Sequence, residues 1–241
     1  MNQGPRQSCS FLMSLFGFPV CPLCDVALET GFGVDGDLCR TCWAQVFRGE
    51  PDAPAGLCAL CGHTLLGEVD LCADCCRQPW SFARLDGLVP YRSPAGELLR
   101  AYKGRNRSGL ARCWSRLSVP RLAPAAPLVP VPCHPQHFLE RGWDPVARWA
   151  HFLSRDAQVP VWNLLIRRRT VSQKLLGRAE RSENATRSYC LRRDAPNKLK
   201  GQKLVWLLDD VVTTGSTVEA CAKELLRGGV AEVRVLALCL H

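Results

Sequence analysis

The sequence predicts an α/β protein, a parallel sheet flanked by helices with a small cysteine-rich module in front of it. Three observations carry this. Two apolar runs near the C-terminus, 203–208 and 233–239, enclose a hydroxyl-rich turn and a helical pattern. Four Cys-x-x-Cys pairs all lie before residue 76. The charge changes sign near residue 80: residues 1–80 hold four Arg and nine acids, net −5, and the remainder holds 27 Lys or Arg against 13 acids, net +14. In a chain of 241 residues with 47% apolar content, these features point to two modules, 1–80 and 81–241, with different partners.

The N-terminal apolar run Ser10–Val20 has only Arg6 before it, and no small-residue cleavage site follows. It is too short to span a bilayer. It reads as a terminal hook packed on the core, and the protein is expected in a reducing cytoplasm, with no membrane span. In that compartment paired cysteines more often hold metal than form disulfides.

The pairs are Cys21/Cys24, Cys39/Cys42, Cys58/Cys61 and Cys72/Cys75, with Cys76 as a spare. Two residues between thiolates let one tight turn aim both sulfurs at one ion, and two such turns complete a tetrahedral zinc site. "CPLCDVAL" at Cys21 resembles "CALCGHTL" at Cys58, which suggests a duplicated ribbon. Spacing leaves open whether there are one or two ions and whether the pairs combine in order or interleave. The module is acidic, so a structural staple or a protein contact suits it better than phosphate backbones.

Beyond the cysteines, Gly96–Lys103 has helical spacing, with Leu98, Leu99 and Tyr102 on one face, and Lys103, Arg105 and Arg107 form a basic knot. A second helix is expected over Leu110–Leu117. The proline-rich stretch Pro120–Pro132 contains a short buried strand at Leu128, Val129 and Val131. Pro145–Phe152 reads as another helix. Arg167–Arg193 holds nine Lys or Arg and two Glu. It reads either as a solvated mobile loop or as a clamp that closes over polyphosphate or nucleic acid.

The C-terminal unit is a strand over Lys203–Leu208, a helix over Thr217–Leu226 and a strand over Val233–Cys239, a parallel βαβ arrangement. Ligands of such sheets gather at the carboxyl ends of the strands. There the chain reads "DDVVTTGST". Asp209 and Asp210 can accept hydrogen bonds from a ribose cis-diol. Thr213, Thr214, Gly215, Ser216 and Thr217 then turn into a helix whose N–H groups and hydroxyls can ring a phosphate. Acids for a sugar followed by a cup for a phosphate describe a ribose 5-phosphate site.

"VWLLDDVVTTGST" closely resembles the PRPP-binding motif of type I phosphoribosyltransferases (PRPP, 5-phosphoribosyl 1-pyrophosphate). Together with "VPVPCHPQHFLERGW", "RRTVSQKLLGRAERSEN" and the double Cys-x-x-Cys head, the chain from Cys21 onward resembles the ComF family, whose members are linked to competence and DNA uptake. The resemblance implies a type I phosphoribosyltransferase-like sheet of about five strands behind a double zinc ribbon. It implies structural Zn²⁺, and Mg²⁺ accompanying PRPP. The 131–142 loop would cradle pyrophosphate with Arg141, and the basic stretch would supply Arg169, Gln173, Arg178, Arg181 and Asn184. Arg141, Arg169, Arg178 and Arg181 are the catalytic candidates, acting electrostatically on the departing pyrophosphate while a nitrogen nucleophile attacks. The chain departs from the family pattern at Gln136, His137 and Leu139, and at Gly142-Trp143-Asp144-Pro145, which favours binding over turnover. Two other readings stand beside the enzyme: a DNA-uptake factor that holds single-stranded DNA, and a PRPP-sensing regulator without chemistry.

Overall fold

The computed structural model describes residues 20–28, 38–47, 58, 65, 71–77, 79–91, 94–168 and 188–240. The N-terminal hook, Cys61, Arg169, Gln173, Arg178, Arg181 and Asn184 lie outside these residues. Two short helices belong to the cysteine-rich part, α1 (Arg40–Phe47) and α2 (Ala73–Arg77). They are followed by β1 (Arg84–Pro90), α3 (Gly96–Gly104), α4 (Ala111–Ser118), β2 (Leu128–Pro130), α5 (Pro135–Arg141) and α6 (Pro145–Ala157). After these come β3 (Leu165–Arg167), β4 (Tyr189–Leu191), α7 (Ala195–Leu199), β5 (Leu204–Val212), α8 (Ser216–Arg227) and β6 (Glu232–Leu240).

The main sheet has the order β1-β6-β5-β2, and every neighbouring pair is parallel. The protein is therefore a mixed α/β fold built on a parallel sheet flanked by helices. Among the described residues this sheet has four strands, where about five were expected. The strand that sequence reading passed over is β1. Its residues, RLDGLVP, lack a continuous apolar run because Arg84 and Asp86 interrupt it, and pairing with β6 overrides that weak local signal. A separate antiparallel pair, β3 with β4, joins Leu165 to Leu191 and Arg167 to Tyr189. The two ends of the basic stretch are thus ordered sheet, not loop.

Successive side chains of a strand point to opposite faces of a sheet, and both faces of this one are covered. Leu204, Trp206 and Leu208 of β5 join one apolar cluster with Leu98 and Tyr102 of α3, Trp114 of α4 and Trp149 of α6. Val205 and Leu207 join the other with Val218, Cys221 and Leu225 of α8. Fully burying one such aliphatic side chain contributes about 1.5–3 kcal/mol. In the first cluster the Tyr102 hydroxyl donates to the Pro145 carbonyl at 2.8 Å and Trp149 Nε1 donates to Ser118 Oγ at 3.0 Å, while Trp114 Nε1 is buried without a hydrogen-bond partner.

The first cysteine segment lends its apolar residues to this same core, where Cys21, Leu38, Cys42 and Val46 are all buried. Arg107, from the basic knot, holds Asp25 with two bonds of 2.5 and 2.6 Å. The acidic head thus meets one of the cations that follow it. Among the described residues, no helix is long and apolar enough to cross a membrane.

Candidate functional site

Two cysteine clusters are present. Cys21, Cys24, Cys39 and Cys42 bring their sulfurs within 4.8 Å of one another, and Cys58, Cys72 and Cys75 do the same. Among the described residues the cysteines therefore group in sequence order into two clusters rather than interleaving. Zinc–sulfur bonds of about 2.3 Å in a tetrahedron place the sulfurs about 3.8 Å apart. The Cys24–Cys39 separation is 3.7 Å. Backbone N–H groups already turn toward sulfur, from Cys39 to Cys21 at 3.4 Å and from Cys72 to Cys58 at 3.3 Å. This donor set fits zinc. Burial pushes the Cys24 thiol up to about 11 and the Cys42 thiol higher still, so metal must displace protons here.

At the other end of the fold, β5 runs through both acids and ends at Val212, four residues beyond Leu208. Asp209 and Asp210 are adjacent in sequence yet face opposite ways. Asp210 turns to the α3 side, where Lys103 Nζ meets its Oδ2 at 2.7 Å. Asp209 turns to the α8 side, where the nearby charges and polar groups come from Arg167, Tyr189 and Cys221. Asp209 is 8% exposed, and its Oδ1 accepts from the Asp210 N–H at 2.8 Å. Burial, and after it the charge of Asp210, push its carboxyl up to about 8.

Behind Asp209, residues Val211 to Val218 line a concave cup. Gly215 stands at the N-terminus of α8 with φ of +74°, a left-handed conformation that glycine adopts without strain. Gly215 brings no side chain to cap that helix end, and the Ser216 N–H donates to Thr214 Oγ1 at a long 3.5 Å. The Thr214 and Ser216 hydroxyls lie 3.0 Å apart above it. The structure thus brings Asp209, Thr213, Thr214, Gly215, Ser216 and Thr217 around one cup, with Asp210 on the opposite face of the same strand.

Arg141 lies at the end of α5. Its Nε donates to the Lys103 carbonyl at 3.2 Å, and its guanidinium is 5.9 Å from the centre of the Trp143 ring. Arg141, Lys103 and Asp210 therefore form one chain of contacts on the α3 side. His134 caps α5 from the position before it, accepting from the Gln136 N–H at 3.2 Å. Burial, with the charges of Arg167 and His137, lowers its pKa.

Sequence reading missed three residues at this site. Lys103 was visible only as part of a basic knot, and nothing in the sequence tied it to Asp210. Arg167 ends β3, stacks 5.4 Å from the centre of the Tyr189 ring and bears on Asp209 and His134. Its Nε is buried without a hydrogen-bond partner. Tyr189 lies on β4 beside Thr217, and burial pushes its phenol up to about 12. Both had been absorbed into the basic stretch, because composition does not show where a loop is anchored.

No protein-family model matches the chain. It is similar to the DNA utilization protein YhgH of Salmonella typhi, 30% identical over 216 residues that cover 76% of this chain and 90% of the relative. YhgH of Escherichia coli K12 is 29% identical over 236 residues, covering 91% and 96%. Competence protein F of Haemophilus influenzae is 26% identical over 212 residues, covering 83% and 89%. Among solved structures, the glutamine PRPP amidotransferase from B. subtilis complexed with ADP and GMP matches with a TM-score of 0.39 and 17% identity, over 54% of this chain and 26% of that one.

The zinc fit is checked by metal analysis of protein purified without chelator, with two zinc ions per chain expected. Cys58→Ser should lose one and keep the other, and retention should weaken as pH falls and thiols regain protons. Finding no zinc in folded, reduced protein would reject it.

Asp209 generates a second prediction. Its folded pKa lies above the unfolded value of about 3.9, so between roughly pH 4 and pH 8 the folded state holds a proton that the unfolded state has released. The ligand-free protein therefore loses stability as pH rises through that window, by up to about 1.4 kcal/mol per pH unit. Asp209→Asn keeps the hydrogen-bond acceptor and removes the titration. The variant should melt higher than wild type at pH 8, and the gap should close by pH 4. Parallel melting curves across that range would refute a strained Asp209.

Proposed function

The chain belongs to the ComF family, and on that premise we propose that it binds PRPP, or a ribose 5-phosphate ligand, in the cup at the end of β5 and serves DNA uptake or nucleotide metabolism. The observation that carries the reading is the cup itself. A left-handed Gly215 opens α8 beneath the hydroxyls of Thr214 and Ser216, in a cup that a buried carboxyl also lines.

In this reading the 5-phosphate takes the backbone N–H groups and hydroxyls of 213–217, with the favourable potential of the α8 N-terminus. Asp209 accepts the ribose hydroxyls, and ligand binding relieves the strain of a buried carboxylate, while Asp210 holds Lys103 on the other face of the strand. The pyrophosphate lies toward Arg167, Arg141 and Lys103, whose positive charges suit it. Mg²⁺ bound with the ligand's own oxygens and several waters would neutralise the diphosphate, which suits a site that presents few free carboxylates. Where transfer occurs, the positive groups stabilise charge on the departing pyrophosphate as the acceptor nitrogen bonds to ribose C1. Arg169, Arg178 and Arg181 remain proposed contributors from the same basic stretch.

Single-strand binding without chemistry has one observation on its side. Phe138 and Leu139 on α5 are 46% and 80% exposed, and the helix ends in Arg141 against Trp143. Base stacking on aromatic groups beside cations is the usual chemistry of such binders.

Calorimetry separates the two. PRPP with Mg²⁺, and ribose 5-phosphate alone, should each give a saturating isotherm with wild type. Asp209→Asn should cost roughly 1.5–3 kcal/mol per lost charge-assisted bond, about ten- to a hundredfold in affinity for each. No heat and no thermal shift at millimolar ligand would reject the PRPP reading, and titration with oligonucleotide would then test the second.

A further inference from the structure

Between the second cysteine cluster and the main sheet lies a short connection, residues 79–83, that touches both. Trp80 packs against the buried cluster of Cys58, Leu65 and Cys75 on one side. On the other it packs against the α8-side core, its ring centre 5.1 Å from that of Phe82. Its indole edge lies directly over Gly215. A Cβ added at Gly215 would stand 2.7 Å from Trp80 Cη2 and 2.8 Å from Cζ3. Glycine is required here twice, by the positive φ and by the indole.

The next residue fixes the indole in place. The Ser81 N–H donates to Glu219 Oε2 at 2.7 Å, and Ser81 Oγ donates to Glu219 Oε1 at 2.8 Å. Glu219 lies in the first turn of α8, is only 7% exposed and also meets Lys223 Nζ at 3.2 Å. One buried carboxylate thus ties the connection to the helix whose N-terminus forms the cup.

We propose that Trp80 is a positioning residue for the phosphate cup and that metal at Cys58, Cys72 and Cys75 and a ribose phosphate at 213–217 bind cooperatively through it. This rests on the ribose-phosphate reading of the cup and adds its regulation. The physical argument is preorganisation. With the second cluster closed on a metal, the chain between Cys75 and Ser81 is held at both ends, and the indole backs the Gly215 turn before ligand arrives. With the cluster open, the Ser81 end alone holds it, and the ligand must order the turn as it binds, which weakens its affinity. Linkage then requires the reciprocal effect: ligand in the cup must tighten metal at the cluster by the same factor.

The experiment is a double-mutant cycle on zinc-loaded full-length protein, with ribose 5-phosphate as the probe. Wild type, Cys58→Ser, Trp80→Ala and the combined variant are titrated by calorimetry. Couplings of this kind are typically about 5- to 150-fold. Cys58→Ser and Trp80→Ala should each weaken ribose 5-phosphate about tenfold or more, and the combined variant should lose little beyond either single one. The metal side gives a readout that a merely structural residue would not move. Ribose 5-phosphate should slow zinc loss to a chelator from the second cluster in wild type, and should leave it unchanged in Trp80→Ala. Where Trp80→Ala fails to fold, Trp80→Leu keeps an apolar filler and shortens the wall, and the same loss of coupling is expected. Wild-type affinity retained in the variants, or fully additive losses, would overturn the coupling while leaving the cup's ligand established. An absence of ribose 5-phosphate binding by zinc-loaded wild type would overturn the reading beneath it as well.

Discussion

The pleat of β5 is the constraint on which the rest of the molecule depends. Because neighbouring side chains leave a strand on opposite sides, Asp209 and Asp210 share a peptide bond and little else. One faces the α3 side and is neutralised by Lys103 at 2.7 Å. The other faces the α8 side, buried, with its pKa raised to about 8. Two adjacent carboxylates are tolerable because the sheet stands between their partners. The same alternation below them sends Trp206 and Leu208 into one apolar cluster and Val205 and Leu207 into the other. The rule that builds both halves of the core therefore also sets one acid in the cup and the other behind it.

Much of this was legible in the sequence. The helices of α3, α6 and α8 follow from apolar spacing, and the β5–α8–β6 unit follows from two apolar runs around a glycine-containing turn. The cup residues are contiguous in sequence, so a local reading captures them together. What escaped was non-local. β1 carries Arg84 and Asp86 within its seven residues and becomes a strand by pairing with β6. Arg167 and Tyr189 are 22 positions apart and meet through the β3–β4 pair. No pattern along the chain encodes that meeting. Lys103 reaches Asp210 across more than a hundred residues.

The cysteine-rich part illustrates the same limit. Spacing gave the ligands, and the fold gave their grouping into two clusters. It also gave something that spacing does not contain, namely where the clusters attach. Cys21 and Cys42 are buried in the α3-side core, while Cys58 and Cys75 sit with Trp80 next to the α8-side core. The described cysteine segments thus pack toward the two sides of the sheet. The acidic character of the head then has a structural consequence, since Asp25 meets Arg107 in a paired contact.

This arrangement changes what an unpartnered helix end means. Gly215, the residue before α8, sits in a left-handed turn and brings no side chain to cap the helix, and the Ser216 N–H reaches the Thr214 hydroxyl only at 3.5 Å. In most helices such an end costs stability, because orphan N–H groups lose a partner that Ser, Thr, Asp or Asn would provide. Here the sequence offers Thr214 and Ser216 at that point, and their hydroxyls turn to each other at 3.0 Å. Asp209 adds a second local cost, a carboxyl held away from water beside a tyrosine and a cysteine. Two unfavourable features converge on one cup, and the surrounding core must supply the stability to hold them there. An anionic ligand bearing hydroxyl groups offsets both costs at once, since phosphate oxygens accept from the N–H groups and hydroxyls donate to the carboxylate. That joint compensation distinguishes the cup from an ordinary strand-to-helix turn, in which the cap would have been satisfied from within the chain.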